Sequence, residues 1–289
     1  MSDIILVTAA TGTVGKETVK ALSAQGVRVR AAVHSLIKGE NLKRLPGVEL
    51  VEIDFNRPET LRLAFTGVDK ALLITPFVEN QVAVGQELIN AAQAAAVQHV
   101  VRLSASGAEA EPGIRLGREH REVEQSLQSA EINHTILRPT QFMQNFVNQH
   151  SATIKEQNAF YISLGQGRIS YIDARDIADA AAEILLNPAP HHGRVYTLTG
   201  PEALSGEEVA AILSLVVGRE ISYVDVPAEA ARQAMEAHQL PAWMVGSLLE
   251  LQDISKAGYA SGITEDLPQI LGRQPYSFHD FAVAYKTCF

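Results

Sequence analysis

Short apolar runs alternate along this chain with longer stretches of helical spacing, and the first run is the least ambiguous. Ile4-Ile5-Leu6-Val7 is uninterrupted and mostly β-branched, as suits a strand buried on both faces of a parallel sheet. Beyond it the residues become small. Val14, Val19 and Leu22 then fall at helical spacing, with Gly26 placed to stop the helix. Further strands are predicted over residues 27–33, 48–53, 70–77, 99–104 and 134–138, the fourth run including its exit and the last closed by Pro139. Helices are predicted over 78–96 and 116–129, and Asn56 with Glu59 three residues on reads as another helix start. Phe142 and Phe146 follow at helical spacing. The alternation predicts an α/β fold: a doubly wound parallel sheet of six strands, filling residues 1–150.

Beyond residue 148 the segments shorten. A turn at Gly165-Gln166-Gly167 precedes a predicted strand over 168–172, and Asp173 can cap a helix carrying Asp176 and Asp179. Residues 195–198 and 221–226 read as strands. Between them Ser205 and Glu208 form a capping box for a helix that Gly218 ends, and helices follow over 228–238 and 243–251. This smaller α+β part, residues 151–289, is expected to be intertwined with the first, to cover the carboxyl edge of the main sheet and to supply a substrate pocket.

Composition narrows the function classes. With 289 residues, 46% of them hydrophobic, the chain can bury a large core. A net charge of −9, with 33 acids against 24 bases and no basic cluster, argues against direct nucleic-acid binding. The single cysteine, Cys288, permits no internal disulfide and no multi-cysteine metal site, which fits a reducing cytoplasm. No secretion signal is visible at the N-terminus, and the most apolar later stretch, residues 212–217, is far short of the ~20 residues of a membrane span. Asp173, Asp176 and Asp179 read as acids favoured by a helix dipole and not as metal ligands, and His191-His192 as a turn after Pro190.

The candidate chemistry lies at strand ends. A tight turn of small residues between strand and helix lets the backbone approach a diphosphate and points unpaired N–H groups toward it. Gly12, Thr13, Val14 and Gly15 are placed for that, Gly12 where a side chain would meet the phosphates and Gly15 where the helix must pack closely. Ala9 stands where a third glycine is expected, and a left-handed backbone there would cost about 1–2 kcal/mol. An acid about 20 residues on would select NADH, yet residues 27–39 contain none, and His34, Ser35 and Lys38 stand there instead. That favours NADPH over NADH. Asp54 and Phe55, past the third strand, are candidate adenine contacts; Thr75, Phe77, Ser104 and Ser106 are expected to border the ribose and nicotinamide.

Several stretches carry a resemblance: Thr8-Ala9-Ala10-Thr11-Gly12-Thr13-Val14-Gly15, Leu103-Ser104-Ala105-Ser106-Gly107, residues 116–124, Leu137-Arg138-Pro139, Tyr171-Ile172-Asp173-Ala174-Arg175-Asp176-Ile177-Ala178 and residues 196–205. In this order they resemble the atypical short-chain dehydrogenase/reductase superfamily with its Rossmann fold, in the NmrA-like branch, and within it the NAD(P)H-dependent quinone and triphenylmethane reductases. The resemblance implies NADP as cofactor, with Pro139 among its contacts. It also sets Leu116 and His120 where other members carry the Tyr and Lys of a proton-transferring pair. Leucine cannot transfer a proton, so tyrosine-driven alcohol oxidation and sugar epimerisation are disfavoured. A quinone needs less, because its reduced anion can take a proton from water. His120 is then a candidate for bonding the nicotinamide ribose or acting as a weak acid, with Ser106 nearby, and Phe77, Phe142, Asn145 and Trp243 are candidate substrate contacts, although for Trp243 core packing is the first reading. The expected function is hydride transfer from NADPH to a flat, electron-poor small molecule such as a quinone. The alternative is a non-catalytic NADP-sensing regulator with a protein partner, and a homodimer is compatible with both.

Overall fold

Ile5 and Val7 pack into an apolar core on one face of a sheet, and Leu6 between them packs into another on the opposite face. Period-two alternation of an all-apolar strand produces this arrangement. The computed structural model, which describes residues 3–289, repeats it strand by strand. The first half runs β1 (Ile4–Val7), α1 (Thr13–Ala24), β2 (Arg28–Val33), α2 (Leu36–Lys43), β3 (Val48–Glu52), α3 (Pro58–Phe65), β4 (Lys70–Leu73), α4 (Gln81–Ala94), β5 (His99–Leu103), α5 (Arg115–Ser129) and β6 (His134–Pro139). A π-helix over Phe146–His150 leads into α6 (Ser151–Gln157), β7 (Ala159–Ile162), α7 (Ala174–Leu186), β8 (Val195–Leu198), α8 (Gly206–Val217), β9 (Ser222–Asp225), α9 (Ala228–Ala237), α10 (Ala242–Lys256), α11 (Asp266–Leu271) and α12 (Phe278–Ala284).

The main sheet is parallel, in the order β3-β2-β1-β4-β5-β6-β8. It has seven strands, where the chain's alternation predicts six. The seventh is β8, which leaves the second half of the sequence to pair Val195–Leu198 with residues 136–139 of β6. β7 and β9 form a separate two-stranded parallel sheet. The strand order reverses at β1, between β2 and β4. In an open α/β sheet, ligands bind at the carboxyl ends of the strands beside such a switch point.

Val14, Val19 and Leu22 turn one stripe of α1 into the core, where they meet Ile177, Ala180, Ala181 and Ile184 of α7. The alanines let the two helices approach closely, and each buried leucine such as Leu22 contributes ~1.5–3 kcal/mol. α3, α4 and α5 cover the other face through Phe65, Leu88 and Val123. A third core lies under α8 and α12, and a small fourth one between α9 and α10.

Three predicted elements come out differently. α3 begins at Pro58, not after Asn56, because the Asp54 carboxylate accepts from the Asn56 N–H at 2.9 Å and from Arg57 Nε at 3.0 Å, which holds residues 54–57 in a turn. Residues 168–172 are not a strand: Ile169 and Ile172 make single bridges, to Leu204 and Phe142, and no ladder. Phe142 is therefore extended, and only Phe146 enters the helix. Asp173 does cap α7, accepting from the Arg175 N–H at 2.9 Å. No helix among the described residues is long and apolar enough to cross a membrane.

Candidate functional site

The turn after β1 is tied to its neighbour across the switch point. Thr8 Oγ1 donates to the Ile74 carbonyl at 2.9 Å and accepts from the Ile74 N–H at 2.7 Å, so the ends of β1 and β4 move as one piece. Ala9 then adopts a left-handed φ of 47°, the strained conformation that an alanine there risks. Its carbonyl accepts from the Gly12 N–H at 2.9 Å, which closes the turn. A Cβ on Gly15 would sit 2.3 Å from that carbonyl oxygen, so this position needs glycine for close approach, whereas one on Gly12 would sit 3.1 Å from it, a tight contact. Gly12 is the N-cap of α1 and supplies no side-chain cap, and the first turn of the helix contains no acid. The N–H groups at this helix mouth are thus without side-chain partners while the dipole favours negative charge. A diphosphate fits the cradle. Val14 is buried and offers only its backbone, whereas Thr13 Oγ1 is half-buried and accepts from Asn148 Nδ2 at 3.4 Å.

At the end of β2, His34 and Lys38 are exposed and Ser35 caps α2 without using its hydroxyl. Asp54 is half-buried with both carboxylate oxygens engaged in its turn; the Asn56 backbone N–H and then Arg57 hold its pKa below the usual carboxylate value. Phe55 packs its ring against the core on the α3 side.

Past β4 and β5 the structure brings together groups that chain order keeps apart. Arg102 lies on the same face of β5 as Val100, the face covered by α4 and α5, and is only 1% exposed. Its Nη2 donates to Thr75 Oγ1 at 3.1 Å and meets His120 Nδ1 at 3.5 Å, while Nη1 reaches the carbonyls of Leu73, at 3.2 Å, and Leu103. Its Nε has no partner. Burial lowers the Arg102 pKa to about 10, still well above neutral. His120, half-buried on α5, is pushed down to about 3 by burial and then by the Arg102 charge. At that value the ring is neutral near pH 7. Leu116 precedes it by one helical turn, so the two share a face of α5.

Ser104 is buried, and its hydroxyl donates to Glu124 Oε1 at 2.5 Å. Glu124 also takes a forked pair of bonds from Arg138, at 2.9 and 2.6 Å. Pro139 is buried as well, and its carbonyl accepts from the Ser106 N–H at 2.9 Å. Ser104 and Pro139 therefore brace the floor of this region, while Ser106 stays half-buried at its rim. A Cβ on Gly117 would lie 2.9 Å from the Gly107 carbonyl oxygen, so this glycine brings α5 tight against the loop that holds Ser106.

The aromatics lie past the end of β4 and on α10. Phe77, 39% exposed, packs edge-to-face on Trp243 with ring centroids 5.0 Å apart, and Arg115 lies 5.9 Å over the same indole. α10 is held there by Glu250, which accepts from the Arg115 N–H at 2.7 Å. Trp243 thus packs half-buried against Phe77, past the end of β4, and not within a core cluster. Phe142 and Asn145 are half-buried; Phe142 packs beside the α1–α7 core, and Asn145 leads directly into the π-helix.

The sequence profile of the NmrA-like family matches residues 1–267. The chain belongs to that family. It is 37% identical over 286 residues to the NAD(P)H azoreductase of Xenophilus azovorans, covering 99% of each chain. Among solved structures it superimposes on Citrobacter sp. triphenylmethane reductase complexed with NADP(H), with a TM-score of 0.83, 26% identity and 98% and 99% of the two chains covered. The NADPH-dependent quinone oxidoreductase of Escherichia coli complexed with NADPH gives a TM-score of 0.84 at 26% identity, over 97% and 99%.

In this NmrA-like protein, the glycine turn and the strand ends are legible in the sequence, whereas the pairing of Phe77 with Trp243 is not. Sequence reasoning missed Arg102, Glu124 and Arg138. The available signal was a charged residue in the middle of His99-Val100-Val101-Arg102-Leu103, a run otherwise fit for complete burial.

Proposed function

We propose that this NmrA-like protein is an NADPH-dependent reductase that transfers hydride to a flat, electron-poor acceptor such as a quinone or an azo dye. When bound, the reduced nicotinamide supplies the hydride. The backbone of residues 12–15 would hold the diphosphate, His34, Ser35 and Lys38 would receive the 2′-phosphate, and Phe55 would border the adenine. Thr75, Phe77, Ser106 and His120 are the residues proposed for the nicotinamide end. Residues 151–289 would cover the acceptor, with Trp243, Phe142 and Asn145 lining its place.

The observation that carries the reading is the nearness of Phe77 to Thr75. Phe77 pairs with Trp243 to make an aromatic wall, and Thr75, two residues earlier, shares Arg102 with the neutral His120. A wall for planar groups and a neutral N–H donor suit hydride delivery to a ring whose product takes its proton from water. With Leu116 in place of a proton-transferring residue, alcohols and sugars would be poor substrates. The relatives that reduce azo compounds, triphenylmethane dyes and quinones support the same class of acceptor.

The test is a fluorescence titration with NADPH and NADH, followed by addition of a simple benzoquinone while reduced-cofactor absorbance is recorded. NADPH is expected to bind at least about tenfold more tightly than NADH, a difference of ~1.4 kcal/mol, and the quinone to be turned over. Tight NADPH binding with no turnover of quinones, azo dyes or triphenylmethane dyes would overturn the reductase reading in favour of a cofactor-sensing role.

A further inference from the structure

Arg102 makes poor sense as a purely structural residue. It sits in the middle of the sheet, its partners are carbonyls, a hydroxyl and an imidazole, and no carboxylate bonds it; Glu124 acts on it only through space. Burying a cation that way is expensive, and an apolar side chain of similar length would pack there at lower cost. Its Nε is left without a partner as well. A sequence that keeps such a group beside a candidate site is using it for something other than stability.

What it does follows from donor and acceptor chemistry. A guanidinium has five N–H donors and no acceptor, so an imidazole nitrogen facing it must be the bare one, and in a neutral ring the proton is then on the other nitrogen. Arg102 Nη2 faces His120 Nδ1. The bonds to Leu73, Leu103 and Thr75 fix the guanidinium from three further directions, so it cannot turn away. The other charged groups around His120 are committed elsewhere. Glu119 of α5 binds Arg115 and Gln81 of α4, and Glu124 binds Arg138 and Ser104.

Resting on the reductase reading above, we propose that Arg102 is a positioning residue that locks His120 in the Nε2–H tautomer, so that this N–H is aimed as a donor at the oxygen of the acceptor on which charge develops. With NADPH bound, the hydride would leave the nicotinamide C–H bond with both electrons and bond to one oxygen of the quinone, oxidising the nicotinamide and placing the negative charge of the hydroquinone monoanion on the other oxygen. His120 Nε2–H hydrogen-bonds that oxyanion and keeps its own proton; the proton that completes the hydroquinone comes from water. A neutral imidazole held as a donor by its surroundings is a known way to stabilise an oxyanion without acid catalysis.

The test is long-range 1H–15N NMR of the histidine rings in the intact, cofactor-free protein, with His120 assigned by loss of its signals in His120→Gln. The wild-type ring is expected to show a bare Nδ1 and a protonated Nε2, unchanged from pH 8 to pH 5. In Arg102→Met the tautomers should mix, and kcat with a quinone should fall roughly tenfold or more while the KM for NADPH moves by less than about twofold. Arg102→Lys, which also offers only donors, should restore both the tautomer and most of kcat. A wild-type ring protonated on Nδ1, a ring that titrates near 6.5, or an Arg102→Met protein with unchanged tautomer and kcat would each overturn the proposal. The wild-type spectrum needs no variant to fold. It also separates this proposal from the reductase reading: a ring locked as Nε2–H in a protein that reduces no acceptor would remove the function assigned to the lock, whereas a working reductase with the other tautomer would remove the lock alone.

Discussion

Two residues show how local chemistry sets stability here. His99 is 3% exposed, and its Nε2 is 3.0 Å from Thr135 Oγ1, whose own proton goes to the His191 carbonyl, so His99 is the donor. Burial, then His192, His134 and Lys70, lower its pKa from 6.5 to about 4. The unfolded chain therefore binds more protons than the folded one between those two values. Stability should be full above pH 6.5 and fall as the pH drops toward 4, with a loss on the order of 3 kcal/mol for this group. Urea unfolding at stepped pH should show that slope, and His99→Gln should make it shallower, His120 and His150 carrying the remainder. Ala9 offers a gain instead. Relief of its left-handed backbone by Ala9→Gly is worth about 1–2 kcal/mol, offset by the ~0.5–1 kcal/mol that glycine loses through the unfolded state. A net stabilisation of up to about 1.5 kcal/mol is expected, visible as a higher thermal midpoint with cofactor binding retained.

At the scale of elements, the site depends on where α5 and α10 are pinned. The capping box of α8 is legible in Ser205 and Glu208, because both partners lie within one turn of the chain. The seat of α10 is not legible: Glu250 reaches Arg115, and Trp243 reaches Phe77, across more than 100 positions of sequence. Phe77→Ala should remove the wall without touching the diphosphate turn. The expected outcome is a several-fold rise in KM for a quinone, roughly 1 kcal/mol by the worth of an aromatic pair, with NADPH still bound through the glycine turn. Emission from Trp243, the single tryptophan, reports the same contact: an electron-poor acceptor should quench it in the wild type, and less so in Phe77→Ala.

For the whole molecule, the second half of the chain completes the first. α7 packs on α1, β8 extends the main sheet beyond β6, and Leu198 and Leu267 belong to the same core as Ile5 and Val14. A division of the chain near residue 150 separates the glycine turn from α7, the helix that packs on its own α1. A fragment of residues 1–150 should accordingly fail to unfold cooperatively and should bind a hydrophobic dye, where the full chain does neither. Cooperative melting of that fragment by circular dichroism would show the two parts to be independent.

The sequence by itself determined the strand ends, the glycine turn and the α/β class, because each is specified by neighbours within a few residues: apolar runs, a missing Cβ, a cap three positions away. Tertiary structure alone decided the seventh strand, the buried Arg102–His120 contact and the place of Trp243. A strand of four residues such as Val195–Leu198 has no mark that says which sheet it joins. The protonation of His120 likewise depends on its burial and then on a guanidinium 18 positions away in sequence. Pairing across the sheet and burial of charge are properties of residues brought together in space, and the chain carries no local pattern for either.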